Sequence, residues 1–173
     1  MNFAVRNMGA CSMGRPETSK LRQTGEPVVV TREIAASPER IWDMVSDLPR
    51  MGEWSPENQG GEWMKGATAP AVGVRFKGRN SNGSKKWSTV VEIVEFEPGR
   101  KIAFALMVGP SRWCDWVYEV EPAGSGTRLT HTWIDRRGKI AVKLGGIVSG
   151  VKDRAAHNRK NMEGTLDAIS LGS

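Results

Sequence analysis

Cysteine is nearly absent from this chain: Cys11 and Cys114 are the only two among 173 residues. Two thiols make no disulfide framework, and their surroundings read as a tail and a buried strand, so a reducing compartment, the cytoplasm, is expected. Long apolar runs are also missing. None approaches the roughly 18 residues that a spanning helix needs, so no stable membrane insertion is expected. The opening stretch, MNFAVRNMGACSMG, has Arg6 inside an apolar segment too short for the core of a secretory leader. Histidine is scarce as well. Cys114, His131 and His157 show none of the close spacing that metal ligands adopt, so no metal is expected. No glycine signature of an oxyanion hole follows Cys114, which gives covalent catalysis little support. Gly145, Gly146 and Gly150 match no phosphate-loop consensus, and no cofactor is called for. They read instead as places of close helix-to-sheet approach or helix bending.

What is present reads as one globular domain. Charged residues make up 25% and hydrophobic residues 39% of the chain, so neither general disorder nor a membrane protein is indicated. Residues 1–25 hold Gly, Pro, Ser, Thr and scattered basic side chains without periodicity, and are expected to form a disordered basic arm before a domain at 26–173. The net charge is +6. Much of it lies in that arm and in Lys139, Lys143, Lys152, Arg154, Arg159 and Lys160, interleaved with Asp153, Glu163 and Asp167. No nucleic-acid motif accompanies these residues, so a solvated helix face is expected rather than a nucleic-acid site, with mild attraction to anionic ligands or surfaces.

The layout follows from periodicity. Residues 27–35, PVVVTREIA, read as a strand, and Ser37-Pro38 starts a helix with a capping hydroxyl and a preset φ. Ile41, Trp42, Val45 and Leu48 recur at helical spacing until Pro49, with a short turn expected at residues 51–54. From Gly73 to Arg137 the chain reads as strands and turns. Asn82-Gly83 predicts a hairpin pairing Gly78 with Trp87 and Phe76 with Thr89. A turn at Pro98-Gly99 pairs Ile93 with Phe104 and Val91 with Leu106. A third at Gly109-Pro110 opposes Leu106 to Cys114 and Phe104 to Trp116, and AGSGT, residues 123–127, opposes Tyr118 to His131 and Trp116 to Trp133. Opposed residues share a face. One face therefore collects Phe76, Trp87, Val91, Ile93, Phe104, Leu106, Cys114, Trp116, Tyr118, His131, Trp133 and Asp135. The other carries Trp113 and a set of charges, Asp115 and Glu119 among them, and faces water.

Residues 139–170 read as one long helix, its stripe including Leu144, Val148, Val151, Ala155, Met162, Leu166 and Ile169, weakened early by its glycines. The plan is α+β, helices on one face of an antiparallel sheet of six or seven strands. A helix about 10 Å wide cannot cover the concave side of so many twisted strands. Either large side chains fill the remainder or a cavity stays open. Tyr118, His131, Cys114 and Asp135 suit a dry core badly, which favours the cavity.

Five stretches, REIAASPERIWDMVSDLPRMGEWSPE, GVRFKGRNSNGSKKW, EFEPGRKIAFAL, GTRLTHTW and the terminal helix, resemble the START-like or SRPBCC superfamily, in its bacterial polyketide cyclase/dehydrase and lipid-transport branch. The resemblance covers about residues 27–170. It implies a helix-grip fold: a curved antiparallel sheet wrapped around the last helix, short helices after the first strand, and a hydrophobic cavity between. It does not imply one activity.

The expected ligand-binding wall comprises Trp54, Phe76, Trp87, Val91, Phe104, Cys114, Trp116, Tyr118, His131 and Trp133, closed by Val151, Ala155, Asn158 and Met162 of the terminal helix. Trp54 follows the first helix, in the loop that borders the cavity mouth in similar proteins; core packing is its alternative. Three functions compete. The first is binding of a small hydrophobic or aromatic, lipid- or polyketide-like molecule without transforming it. The second is an aromatic polyketide cyclase or dehydratase with His131 as general base and Tyr118 polarising a carbonyl. The third is a protein-interaction module using the basic helix and arm. A monomer or homodimer fits each, and Asp135, near a strand end, is expected to be exposed.

Overall fold

A computed structural model describes residues 23–173. The expected disordered arm lies outside them except for its end, where Thr24 is tied down: its amide donates to the Asp135 carbonyl at 2.8 Å and its hydroxyl to the Arg137 carbonyl at 2.9 Å. The elements run β1 Val28–Ile34, α1 Pro38–Ser46, a 3-10 helix Leu48–Glu53, β2 Asn58–Trp63, β3 Arg75–Asn82, β4 Lys85–Glu97, β5 Lys101–Val108, β6 Ser111–Ala123, β7 Gly126–Asp135, α2 Lys139–Ser149 and α3 Arg154–Gly172. Seven strands form one antiparallel sheet in the order β1-β7-β6-β5-β4-β3-β2. Among the described residues no helix is long and apolar enough to cross a membrane.

Capping chemistry sets the helix starts. The Ser37 side chain accepts from the Arg40 amide at 3.3 Å ahead of Pro38, and the Asp153 carboxylate accepts from the Ala156 amide at 3.0 Å. Helix α1 buries Ile41, Met44 and Val45, and α3 buries Met162, Leu166 and Ile169. Both press on the inner face of the sheet, where Ile93, Ile102, Val120 and Leu129 are almost completely buried. This core occupies one half of the concave face.

The pairings β4–β5, β5–β6 and β6–β7 follow the expected registers: Ile93 faces Phe104, Leu106 faces Cys114 and Tyr118 faces His131. The first hairpin differs. Asn82 pairs with Lys85, so Gly83 and Ser84 form the turn, and Trp87 lies opposite Asn80 rather than Gly78. Gly83 supplies the positive φ of 57° that this turn demands. The slip is two residues, so every side chain keeps its face.

Three further differences have local causes. Strand β2, NQGGEW, escapes the hydrophobic pattern because it is an edge strand made possible by glycine. A Cβ on Gly61 would stand 2.2 Å from the Lys77 carbonyl, and one on Gly60 2.2 Å from that of Pro49. The expected single terminal helix is two. Gly150, at φ 71°, ends α2, and the Asp153 carboxylate caps the start of a separate α3. Finally, the outer face is not uniformly wet: Asp115 is buried, held between the guanidiniums of Arg112 and Arg136, and Ala103 and Ala105 are buried beside it. Asp135 is likewise covered, by a two-pronged bond from Arg137 at 2.9 and 2.7 Å, and is not the exposed carboxylate expected.

Replacing Gly61 by alanine is expected to destabilise the fold by about 2–3 kcal/mol, since backbone rather than a flexible side chain must give way. A urea denaturation midpoint equal to that of the wild type would show that β2 does not pack on β3 as described.

Candidate functional site

The half of the concave face left uncovered by the core is hollow. A cavity of about 520 Å³ lies between β4–β7, the N-terminal half of α3 and helix α2. Of the expected wall, Trp87, Val91, Phe104, Cys114, Trp116, Tyr118, His131, Trp133, Asn158 and Met162 line it. Four residues do not. Trp54 is buried in the core with the Arg50 guanidinium 5.9 Å from its ring centre. Phe76 faces inward but is capped by Trp63 of β2, edge to face at 5.1 Å. Val151 falls in the break between α2 and α3 and is buried there. Ala155 lies on the first turn of α3 and is exposed.

Pleating puts the aromatic residues in a ladder. Trp116 lies opposite Trp133 with ring centres 6.2 Å apart, and Tyr118 opposite His131 with rings stacked at 3.9 Å and 19°. Burial dominates the electrostatics of this wall. It drives His131 down to about 3, so the imidazole is neutral at physiological pH, and neither ring nitrogen has a hydrogen-bond partner. It raises the Tyr118 phenol, whose hydroxyl reaches only the Met51 sulfur at 3.8 Å. It pushes the Cys114 thiol up to about 11, leaving a protonated, poor nucleophile. Cys114 pairs with Asp135, four positions along β7 from His131 and so about 13 Å away along the strand, which rules out a Cys–His pair. Among the described residues no group of side chains is placed to hold a metal ion.

On the opposite side the lining turns polar. Glu57 accepts from Arg154 at 2.9 Å and Asn161 at 3.4 Å and pairs with His157 at 2.7 Å. Asn80 donates to Thr89 at 3.0 Å. Asn158, only 1% exposed, accepts weakly from Arg154 at 3.4 Å through its oxygen, while its amide nitrogen has no partner. The wall thus holds two buried side chains, His131 and Asn158, with unused hydrogen-bonding capacity.

Several lining residues lay outside the sequence expectation. Glu57, Asn58 and Asn80 are placed by the unanticipated β2 and by the shifted hairpin. Arg154 and Asn161 flank the expected Asn158 at helical spacing, extending it into a polar face legible in the sequence had the helix break at Gly150 been placed. Trp113, assigned to the outer face, turns inward because β6 bulges there: Leu106 pairs with Cys114 but Met107 with Arg112, leaving Trp113 unpaired. Its ring packs toward Gly145, where a Cβ would stand 3.9 Å from the indole and 3.0 Å from the Arg137 guanidinium. The close approach expected of Gly145 is therefore present.

A sequence model of the family described as polyketide cyclase/dehydrase and lipid transport matches residues 27–168. No curated protein matches the sequence. Among solved structures, the polyketide-cyclase-like protein Cgl2372 of Corynebacterium glutamicum shares 30% identity, with a TM-score of 0.58 over 83% of this chain and 88% of its own. A Thermus thermophilus protein, TTHA0849, is 20% identical with a TM-score of 0.60, over 84% of this chain and 95% of its own. Ginseng major latex-like protein 151, from Panax ginseng, is only 12% identical, yet superposes with a TM-score of 0.64 over 85% of this chain and 96% of its own. A curled seven-stranded sheet closed by a long terminal helix is the helix-grip fold. The chain belongs to the polyketide cyclase/dehydrase and lipid-transport family of the START-like SRPBCC superfamily.

Proposed function

We propose that this protein binds, as a carrier or sensor, a small uncharged molecule of lipid- or polyketide-like character, hydrophobic or aromatic in its bulk and carrying at least one hydrogen-bonding group. The observation that carries this reading is the pair of buried side chains with unpartnered polar atoms, His131 on the aromatic wall and Asn158 on the polar one, in a hollow whose lining is mainly apolar. Buried polar groups without partners are costly, and a ligand carbonyl or hydroxyl that meets them recovers the loss. The neutral imidazole offers one donor and one acceptor, and the Asn158 amide nitrogen offers donors. An anionic group would find the Arg154 charge already taken by Glu57 and that of Arg137 by Asp135. A reducing cytoplasm, in a bacterium as in the Corynebacterium and Thermus relatives, suits the free Cys114 thiol.

The geometry gives less support to acid–base catalysis. A base held near 3 takes up a proton weakly at neutral pH, no carboxylate or carbonyl orients the His131 ring, and the Tyr118 hydroxyl is spent on a sulfur atom. The protein-interaction reading of the basic terminal helix also loses ground, because Arg154 is paired with Glu57 and Arg159 reaches the Val29 carbonyl at 3.3 Å.

Two measurements test the reading. Titration with the neutral fluorescent probe N-phenyl-1-naphthylamine is expected to show saturable binding, weakened about tenfold or more by Leu106→Trp, which fills the cavity, and about tenfold by Trp116→Ala. Absence of binding, or binding untouched by Leu106→Trp, would sink the proposal. The second concerns pH. The folded-state value of His131 lies below its unfolded value near 6.5, so the unfolded chain binds the extra proton between the two. The associated stability is whole above about pH 6.5 and falls as pH drops toward 3, by about 1.4 kcal/mol per pH unit. His131→Phe, which keeps a ring against Tyr118, is expected to lose less stability than the wild type between pH 6.5 and about 4.5 in urea titrations. Parallel pH profiles for the two proteins would mean that His131 charges freely in the folded state.

A further inference from the structure

Helix α2 closes one side of the cavity and also turns apolar side chains outward. Ile140 is 79% exposed, Ile147 66%, Val148 55% and Leu144 51%. Their spacing, i, i+4, i+7 and i+8, gathers them into one stripe along the helix. Leu144 and Val148 line the cavity as well, so the stripe runs from solvent to the cavity edge without a polar interruption. Contiguous exposed apolar surface of this kind marks an interaction site.

Charge identifies the partner. Lys139 and Lys143 flank the stripe on the same helix, and residues 136–152 contain no Asp or Glu. Lys152 follows in the break, and the β3–β4 hairpin adds Lys85, whose Cγ lies 3.6 Å from where a Cβ on Gly150 would stand, and its neighbour Lys86. Among the described residues, Lys101 is the only lysine in an ion pair, and it is elsewhere. An apolar stripe bordered by unpaired lysines matches an anionic lipid surface, where the stripe enters the headgroup layer and the ammonium groups meet phosphates. The 11-residue helix is too short to span a bilayer and lies in its plane. A second copy fits less well, because two-fold pairing of the stripes would set the lysines of one copy against those of the other.

We propose that α2 docks this protein reversibly on anionic membranes, with the cavity edge held against the lipid. The surface is independent of what fills the cavity, so failure of this proposal leaves the ligand reading standing, and the reverse. The test is flotation of the full-length chain with vesicles of phosphatidylcholine alone or with about 30% phosphatidylglycerol. Partition onto the anionic vesicles is expected to be at least about tenfold stronger and to fall as salt is raised. Ile140→Asp with Ile147→Asp is expected to lower it about tenfold or more, and Lys139→Glu with Lys143→Glu to remove the preference for anionic lipid. These side chains are exposed and outside the cavity wall, so circular dichroism and probe binding should be unchanged. Failure to float with either vesicle would overturn the proposal. So would equal flotation of the isoleucine double variant, which would assign the affinity to another basic segment. A concentration-dependent dimer in sedimentation equilibrium that Ile147→Asp abolishes would give the stripe to a second copy instead.

Discussion

The structure depends on a mismatch of sizes. A twisted sheet of seven strands curls into a trough wider than one helix, and helix α3 can press its apolar stripe against only part of it. Where Met162, Leu166 and Ile169 meet Ile93, Val120 and Leu129, the trough is solid. Where α3 turns polar, at Asn158 and Arg154, it stands off the sheet and the hollow begins. The same helix thus supplies both the core and the roof of the site, and the boundary between them is written in the residues of its successive turns.

That boundary explains the odd composition of strands β6 and β7. A thiol, three indoles, a phenol and an imidazole would be costly fillers of a dry core, because most of them carry a polar atom that wants a partner. Along an open wall the cost falls, since a guest can meet those atoms. His131 shows the balance: the stack on Tyr118 fixes its ring, burial keeps it neutral, and both nitrogens stay available. The wall is stiffened by ring-on-ring contact rather than by a polar network, which leaves its few hydrogen-bonding atoms unspent.

Legibility in the sequence followed the strength of the local signal. Alternation is clean in β7, and the turns that bound β5, β6 and β7 are marked by Pro-Gly, Gly-Pro and Gly-Ser-Gly, so Tyr118 and His131 could be paired from residues alone. The inner wall was readable for the same reason. Strand β2 was not, because an edge strand of Asn, Gln and Gly has no alternation to detect, and with it went Glu57, Asn58 and the burial of Phe76 beneath Trp63. Trp113 was misassigned because a bulge inverts parity for one residue and leaves no trace in composition. The break at Gly150 was suspected from its glycines but could not be placed. A left-handed glycine ends a helix only where the following chain finds another contact, and that contact is tertiary.

One small bond has a wider reach. The Asn82 side chain, at the tip of the β3–β4 hairpin, donates to the carbonyl of Ser149, the last residue of α2, at 3.1 Å. Beyond Ser149 the backbone turns through Gly150, and at the other end α2 begins at Gly138. The helix is therefore a short bar bounded by two glycines and tied to the hairpin by a neutral amide. The helical side of the hollow is thus fastened to the sheet at a hairpin tip, away from the aromatic ladder, by a bond between groups that do not titrate.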